Sequence, residues 1–258
     1  MKKNLFDLSD KVVIVTGGAG LLGKKFCEIL NEYGANVVIA DINFDKAKKL
    51  ENELGEKAKA YKVDITSKSS IKEFINKVLN KYNKIDVLIN NAYPRNKNYG
   101  KKFEDIEIDD WKENIDLHLN GYFAITKLVS EVMIEQNEGD IINLGSIYGI
   151  QGPNFNIYKD IKMTSPAEYS AIKGGIINFT RYLASYLGKH NIRVNTLSPG
   201  GIFDNQNEKF VENYKGNTPL NRMAKPEDLE GAIVFLTSDA SNYITGHNLV
   251  IDGGWTIC

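Results

Sequence analysis

The sequence predicts an α/β protein built on a doubly wound, mainly parallel seven-stranded sheet with helices on both faces. Three observations point there. Short β-branched runs alternate with amphipathic segments almost from end to end. Most runs lack strict polar alternation, as strands buried on both faces do. No linker-like composition, repeat or low-complexity tract divides the chain, so residues 1–258 read as one domain.

The predicted strands are Val12–Thr16, Val37–Ala40, Ala60–Asp64, Val87–Asn90, Ile141–Gly145, Arg193–Ser198 and Leu249–Asp252. Between them, Leu22, Phe26, Ile29 and Tyr33 form one helical stripe, and Ile71, Phe74, Ile75, Val78, Leu79 and Tyr82 form another. Both follow a period of about 3.6 residues. Repeated strand–helix–strand units imply parallel pairing with the helices covering the sheet. The least regular stretches are Ala92–Asp109, Tyr148–Ala167 and Gly200–Lys225. All follow strand ends on the side where open α/β sheets take ligands, so substrate contacts are expected there.

Composition narrows the function. The 258 residues are 42% hydrophobic, enough for a large core without a metal or disulfide staple. The 32 basic and 33 acidic residues leave a net charge of −1 and no excess to hold a phosphate backbone, so no nucleic-acid partner is expected. Met1 to Asp10 is polar, and no stretch reaches the ~18–20 apolar residues of a membrane span, so a cytoplasmic protein is expected. Cys27 and Cys258 lack metal-ligand spacing and read as buried or idle thiols in a reducing compartment. His118, His190 and His247 are widely separated, and no metal site is expected.

The first strand runs into Thr16-Gly17-Gly18-Ala19-Gly20-Leu21-Leu22-Gly23 and then a helix. Strand, glycine loop and helix N-terminus together suit a dinucleotide pyrophosphate: glycines permit a tight turn and close backbone approach, and free N–H groups meet the anion. Gly17, Gly20, Leu21, Leu22 and Gly23 are the candidate residues. The second strand ends at Asp41, 24 positions after Gly17. A carboxylate there accepts hydrogen bonds from ribose hydroxyls and repels a 2′-phosphate. The loop itself holds no Arg or Lys, so NAD(H) is favoured over NADP(H), although Lys24, Lys25 and Lys46 are close in sequence.

At this point the chain resembles the short-chain dehydrogenase/reductase family, single-domain branch, from Thr16 to Gly254. The motifs that carry the resemblance are Val63-Asp64-Ile65 after the third strand, Asn90-Asn91-Ala92-Tyr93 after the fourth, His118-Leu119-Asn120-Gly121, Leu144-Gly145-Ser146, Pro199-Gly200, and Ile244-Thr245-Gly246 with Asp252-Gly253-Gly254. The resemblance implies a Rossmann fold and adds Asp64, Ile65, Asn91, Ala92, Tyr93, Pro199, Gly200 and Ile202 to the cofactor contacts. It also implies that Asn120 and Ser146 are catalytic. Two departures stand out. Tyr93 replaces the family's glycine, and the middle glycine of the first loop sits one place early, at Gly20, as in the extended branch.

The family's Tyr-x-x-x-Lys signature occurs twice, at Tyr158/Lys162 and Tyr169/Lys173. Spacing favours the first copy, because Tyr158 lies 12 residues after Ser146 and Tyr169 lies 23. Helix physics favours the second. Both side chains must project from one rigid face, and Pro166 disturbs any helix running on through Lys162. After Tyr169, the residues Ile172, Ile176, Phe179, Leu183 and Leu187 form a long apolar stripe, with small Ser170, Ala171, Gly174 and Gly175 for close packing. Tyr169 and Lys173 are therefore taken as the pair, also in contact with the cofactor, and the residues between Ser146 and Tyr169 as an insertion over the site.

The resemblance implies that Tyr169 transfers the proton, that Lys173 together with the charge of the oxidised nicotinamide lowers its pKa, and that Lys173 holds the nicotinamide ribose. Ser146 then donates to the substrate oxygen, and Asn120 holds a water beyond Lys173. Arg95, Tyr148, Asn154, Phe155, Phe203 and Asn205 are the candidate substrate contacts, with Tyr93 and Trp255 nearby; Arg95 and Lys97 are cations able to hold a phosphate or carboxylate. These polar and aromatic loops suit a sugar-like small molecule. Ser146-Ile147-Tyr148-Gly149 and Ser198-Pro199-Gly200-Gly201-Ile202-Phe203-Asp204-Asn205-Gln206 resemble members associated with bacterial flagellin and surface-sugar biosynthesis. Family members are commonly homodimers or homotetramers, and the helices beginning near Asp109 and Pro166 are expected to pack against their copies. Two alternatives stay open: a non-catalytic NAD-binding regulator or scaffold, and an epimerase or dehydratase that retains its NAD.

Overall fold

A computed structural model describes residues 4–258; Met1–Lys3 of the polar N-terminal stretch lie outside the described residues. The strands are β1 (Val12–Thr16), β2 (Asn36–Asp41), β3 (Ala58–Lys62), β4 (Val87–Asn90), β5 (Gly139–Leu144), β6 (Ile192–Pro199) and β7 (Asn248–Ile251). The α-helices are α1 (Leu21–Glu32), α2 (Phe44–Leu54), α3 (Lys68–Tyr82), α4 (Ile108–Ile115), α5 (Gly121–Gln136), α6 (Ala167–Leu187), α7 (Glu208–Lys215) and α8 (Glu230–Thr237). All seven strands pair in parallel, in the order β3-β2-β1-β4-β5-β6-β7. The strand order reverses between β1 and β4, and a ligand crevice forms at such a switch point.

Alternate side chains of each strand enter opposite cores. Val12 and Ile14 of β1 join Val38, Leu88 and Ile141 against α3, α5 and α6, which contribute Phe74, Ile125 and Ile176. Val13 and Val15 join Val37, Ile89 and Leu197 against α1, α2 and α8, which contribute Phe26, Leu50 and Ile233. Apolar residues on both pleats explain why the strands show no polar alternation.

Two sequence expectations need adjustment. The third strand lies two residues earlier than Ala60–Asp64, because its register on β2 runs from Val37↔Ala58 to Asp41↔Lys62. Past Lys62 the chain turns out of the sheet, and the Asp64 carboxylate accepts from the Thr66 N–H and hydroxyl at 2.9 and 2.7 Å. The stretch Gly200–Lys225, read as irregular, contains α7, capped by Asn207 and burying Phe210 and Tyr214. These two residues, with Ile147, Ile157, Met223 and Trp255, form a third, small apolar cluster that joins α7 to the insertion after Ser146.

Candidate active site

The carboxyl ends of the strands open into a cleft of about 800 Å³. Its floor is the first loop. Gly17 has φ +62°, and a Cβ there would lie 2.8 Å from the Ala92 Cα, so the turn needs glycine. Asn91 fixes the loop from the side: its amide donates to the carbonyls of Thr16 and Gly17 at 2.9 and 3.1 Å. Thr16 Oγ1 in turn accepts from the Asn91 and Ala92 N–H groups. α1 starts at Gly20 with no side-chain cap and no acidic residue in its first turn, which leaves its amides open to an anion. Gly17, Gly20, Leu21 and Leu22 line the cleft. Gly23 does not. A Cβ on Gly23 would sit 2.1 Å from the Gly17 carbonyl oxygen, so this glycine shapes the loop from beneath.

Asp41 lines one end of the cleft; its carboxylate accepts from the Ala19 and Asn43 N–H groups at 3.0 and 2.8 Å and keeps lone pairs for a ribose. Asp64, Ile65, Asn91, Ala92 and Tyr93 continue the wall, and Pro199, Gly200 and Ile202 close the opposite side. Lys24 pairs with Glu53 at 2.9 Å and Lys25 with Glu28 at 2.8 Å; neither they nor Lys46 line the cleft.

Tyr169, Lys173 and Ser146 meet at the other end. The helix that carries the pair begins at Ala167, directly after Pro166, so Tyr169 and Lys173 project from one face of its first turns. Tyr158 sits in a separate 3-10 turn, Phe155–Tyr158, and its hydroxyl lies 3.2 Å from that of Tyr148. Gly149 packs so tightly on α6 that a Cβ would meet the Lys173 carbonyl oxygen at 2.6 Å. This contact sets the 3-10 turn after Ser146 against the catalytic helix. The Ser146 hydroxyl hydrogen-bonds Tyr169 and accepts from the Tyr148 N–H at 3.1 Å.

Lys173 is 4% exposed, donates to the Leu144 carbonyl at 2.7 Å, and is brought by burial down to about 7. Burial also pushes the Tyr169 phenol up, opposed by the Ser146 hydrogen bond. The expected lowering of the phenol pKa draws on the charge of the oxidised nicotinamide as well as on Lys173. In the chain alone, desolvation is the larger influence on the phenol. Tyr93 forms edge contacts with Tyr99, His118 and Tyr169. The Arg95 guanidinium lies 5.1 Å from the Tyr93 ring centre and faces the cleft.

Several expected positions lie elsewhere. The Asn120 side chain donates to Asp116 at 2.7 Å on the exposed side of its helix and does not reach the cleft. It ends a π-helical turn, Asp116–Asn120, whose wider winding changes which side chains point inward; the one turned toward Lys173 is His118. Asn154 bonds Asn217 at 3.0 Å and lines a second, smaller hollow that also includes Trp255. Phe155 is 60% exposed, Phe203 is held by its N–H on the Ala224 carbonyl with its ring half in solvent, and Asn205 occupies a left-handed turn at φ 55°. None of these lines the cleft, and neither does Lys97. Tyr148 and Arg95 do. The sequence reading missed Met163, Phe210, Tyr214 and Met223 as wall residues, because the insertion and α7 meet only through tertiary packing.

Residues 18–256 match the family model described as enoyl-(acyl carrier protein) reductase. The chain belongs to the short-chain dehydrogenase/reductase family. It is 38% identical over 253 residues to post-translational flagellin modification protein A of Campylobacter coli, covering 96% of this chain and 99% of that one. It is 35% identical to the 3-oxoacyl-[acyl-carrier-protein] reductase FabG of Thermotoga maritima, covering 97% and 99%. A short chain dehydrogenase of Leptospira borgpetersenii serovar Hardjo-bovis, solved with bound NAD+, superposes with a TM-score of 0.87 at 37% identity, covering 99% and 97%. As a member of this family, the chain is an oxidoreductase that works with a nicotinamide cofactor, and the uncapped α1 amides, the Gly17 turn and the adjoining cleft fit such a group. No described helix is long and apolar enough to cross a membrane.

Proposed function

We propose that this short-chain dehydrogenase/reductase uses NAD(H) to interconvert a secondary alcohol and a carbonyl on a polar, sugar-like small molecule. It acts in the cytoplasm as a homodimer or homotetramer. The observation that carries the reading is the meeting of Tyr169, Lys173 and Ser146 at one end of a cleft that has the glycine loop and Asp41 at the other. Bound nicotinamide supplies the hydride exchange at the substrate carbon. Tyr169 takes the hydroxyl proton in oxidation and returns it in reduction. Ser146 donates to the substrate oxygen, and Lys173, whose ammonium donates to the Leu144 carbonyl, would hold the ribose with its remaining N–H groups.

Asp41 supports NAD(H) over NADP(H), because Lys24 and Lys25 are already paired and leave no cation at its end of the cleft. Arg95 and the phenols of Tyr93, Tyr148 and Tyr158 support a hydroxylated or anionic substrate, and so does similarity to a flagellin modification protein. The buried, proton-retaining Cys27 suits a reducing compartment.

The experiment follows NADH and NADPH consumption against keto-sugars, sugar phosphates and nucleotide sugars. Wild-type protein should consume NADH with at least one of them. Tyr169→Phe should lower turnover by ~10²-fold or more, the contribution typical of a positioned proton donor, with NADH affinity retained. Full turnover in that variant would sink the assignment. Product formation with no net change in NADH would instead favour an NAD-retaining epimerase or dehydratase.

A further inference from the structure

One buried titratable side chain has no part in the chemistry above. His118 is 1% exposed, and neither of its ring nitrogens has a hydrogen-bond partner within the protein. Its ring makes edge contacts, each with centres 5.1 Å apart, with Tyr93 and Tyr122. The Tyr122 hydroxyl is likewise buried and unpartnered. The Lys173 ammonium lies 5.8 Å from the Tyr122 ring centre and 5.9 Å from that of Tyr93. Burial first, and then the Lys173 charge, hold the imidazole well below the ordinary histidine range, so it stays neutral. Three orphaned polar atoms on two adjacent side chains, beside a buried ammonium, are a costly arrangement unless water joins them, since buried polar groups are normally hydrogen-bonded. A site with several polar partners is what an internal water needs.

Resting on the oxidoreductase reading, we propose that His118, and not Asn120, is the positioning residue of the proton path. Together with the Tyr122 hydroxyl it anchors an internal water that accepts a hydrogen bond from Lys173. In oxidation, one proton leaves the substrate hydroxyl for Tyr169, one passes on from Tyr169 to Lys173, and one leaves Lys173 for this water. The water releases an equal proton toward solvent, so the path gains and loses none and no electrons move along it. Reduction runs the same transfers backward. The neutral imidazole supplies the acceptor that keeps the water oriented, a role an imidazolium cannot fill because both its nitrogens are donors.

The groups facing His118 come from three elements. Lys173 and, through the Tyr93 and Tyr122 rings, Tyr169 come from α6; Tyr93 and its partner Tyr99 come from the loop after β4; Tyr122 comes from α5. The Glu168 carboxylate acts on Tyr93 and Tyr99 from behind. Of the groups acting directly on the imidazole, Lys173 is the cation.

The first test needs no substrate. The chain has three histidines, so ring-labelled histidine can be followed by NMR from pH 5 to 9 in the full-length protein, with and without NAD+. His118 should titrate well below the ordinary histidine range, and Lys173→Met should move its titration to higher pH by removing the neighbouring charge. Identical curves in the two proteins would overturn the proposal. The second test compares His118→Asn, which keeps a donor and an acceptor, with His118→Phe, using the panel compound that wild type reduces. The asparagine variant should hold kcat within about threefold, and the phenylalanine variant should lose about tenfold, less than a direct proton donor contributes, with KM and NADH affinity unchanged. A phenylalanine variant with wild-type kcat and pH profile would also overturn it. If no compound in the panel reacts, that result counts against the proposed activity, and the titration alone decides the role of His118.

Discussion

Lys173 shows at the scale of one residue how function is placed at a thermodynamic cost. Its ammonium is buried with a single carbonyl acceptor, and burial lowers it from 10.5 to about 7. Between those values the unfolded chain binds a proton that the folded chain does not, so this group makes stability rise with pH. Its penalty is absent above 10.5, grows as pH falls, and is complete near 7. Wild type should therefore gain melting temperature relative to Lys173→Met as pH is raised from 7 to 9.5. A difference of 2–4 °C would correspond to ~1 kcal/mol in a chain of this size. Scanning calorimetry across that range checks it, and a pH-independent difference would mean that Lys173 is not desolvated as described. The residue pair itself was legible in the sequence, because Pro166 ended one candidate helix and an apolar stripe began the other. His118 was not, since a motif aligned by position cannot count the added winding of a π turn.

Elements are set against one another by a chain of buried polar bonds beneath the cleft. Asn90 donates to Thr126 and Asn143, each at 2.8 Å; Asn143 donates to Thr180 at 2.9 Å; Thr196 meets the same hydroxyl at 2.8 Å. This chain ties β4, β5 and β6 to α5 and α6, and so fixes the catalytic helix on the sheet. Thr180→Val should leave the Asn143 amide unpaired and lower unfolding free energy by ~1–3 kcal/mol. Urea unfolding monitored by circular dichroism measures this, and a change near zero would show that the network does not bear on stability. The strands that carry these residues were readable from β-branched runs, and α1 and α3 from their apolar stripes. The helix α7 was hidden because its eight residues, Glu208–Lys215, are mostly polar and its two buried aromatic side chains face the insertion rather than the main core. Which insertion residues face the cleft was equally unreadable. Tyr148, Asn154 and Phe155 were expected there; of these Tyr148 lines it, and Tyr158 and Met163, which were not expected, do so as well.

At the scale of the whole molecule, one patch of exposed aromatic surface lies along two neighbouring helices. Phe123 on α5 and Tyr182 and Tyr186 on α6 are each at least half exposed, and the two tyrosines stack with ring planes 6° apart. These are the helices that continue from near Asp109 and Pro166. Under the proposed homodimer or homotetramer, this surface packs against a second copy, because apolar and aromatic area of this kind is normally covered. Tyr182→Glu with Tyr186→Glu should therefore yield a smaller species by light scattering, with the fold intact by circular dichroism. An unchanged mass would place the contact elsewhere.

The small apolar cluster of Ile147, Ile157, Phe210, Tyr214, Met223 and Trp255 has a different consequence. It gives the ceiling of the cleft a core of its own, separate from the two that hold the sheet. Its direct tie to the cofactor wall is Tyr214, whose hydroxyl accepts from the Gly201 N–H at 2.6 Å; the glycine loop of the floor is held by other residues. A lineage can exchange one taste in substrates for another by rewriting this roof, while the machinery for moving hydride below it is inherited unaltered.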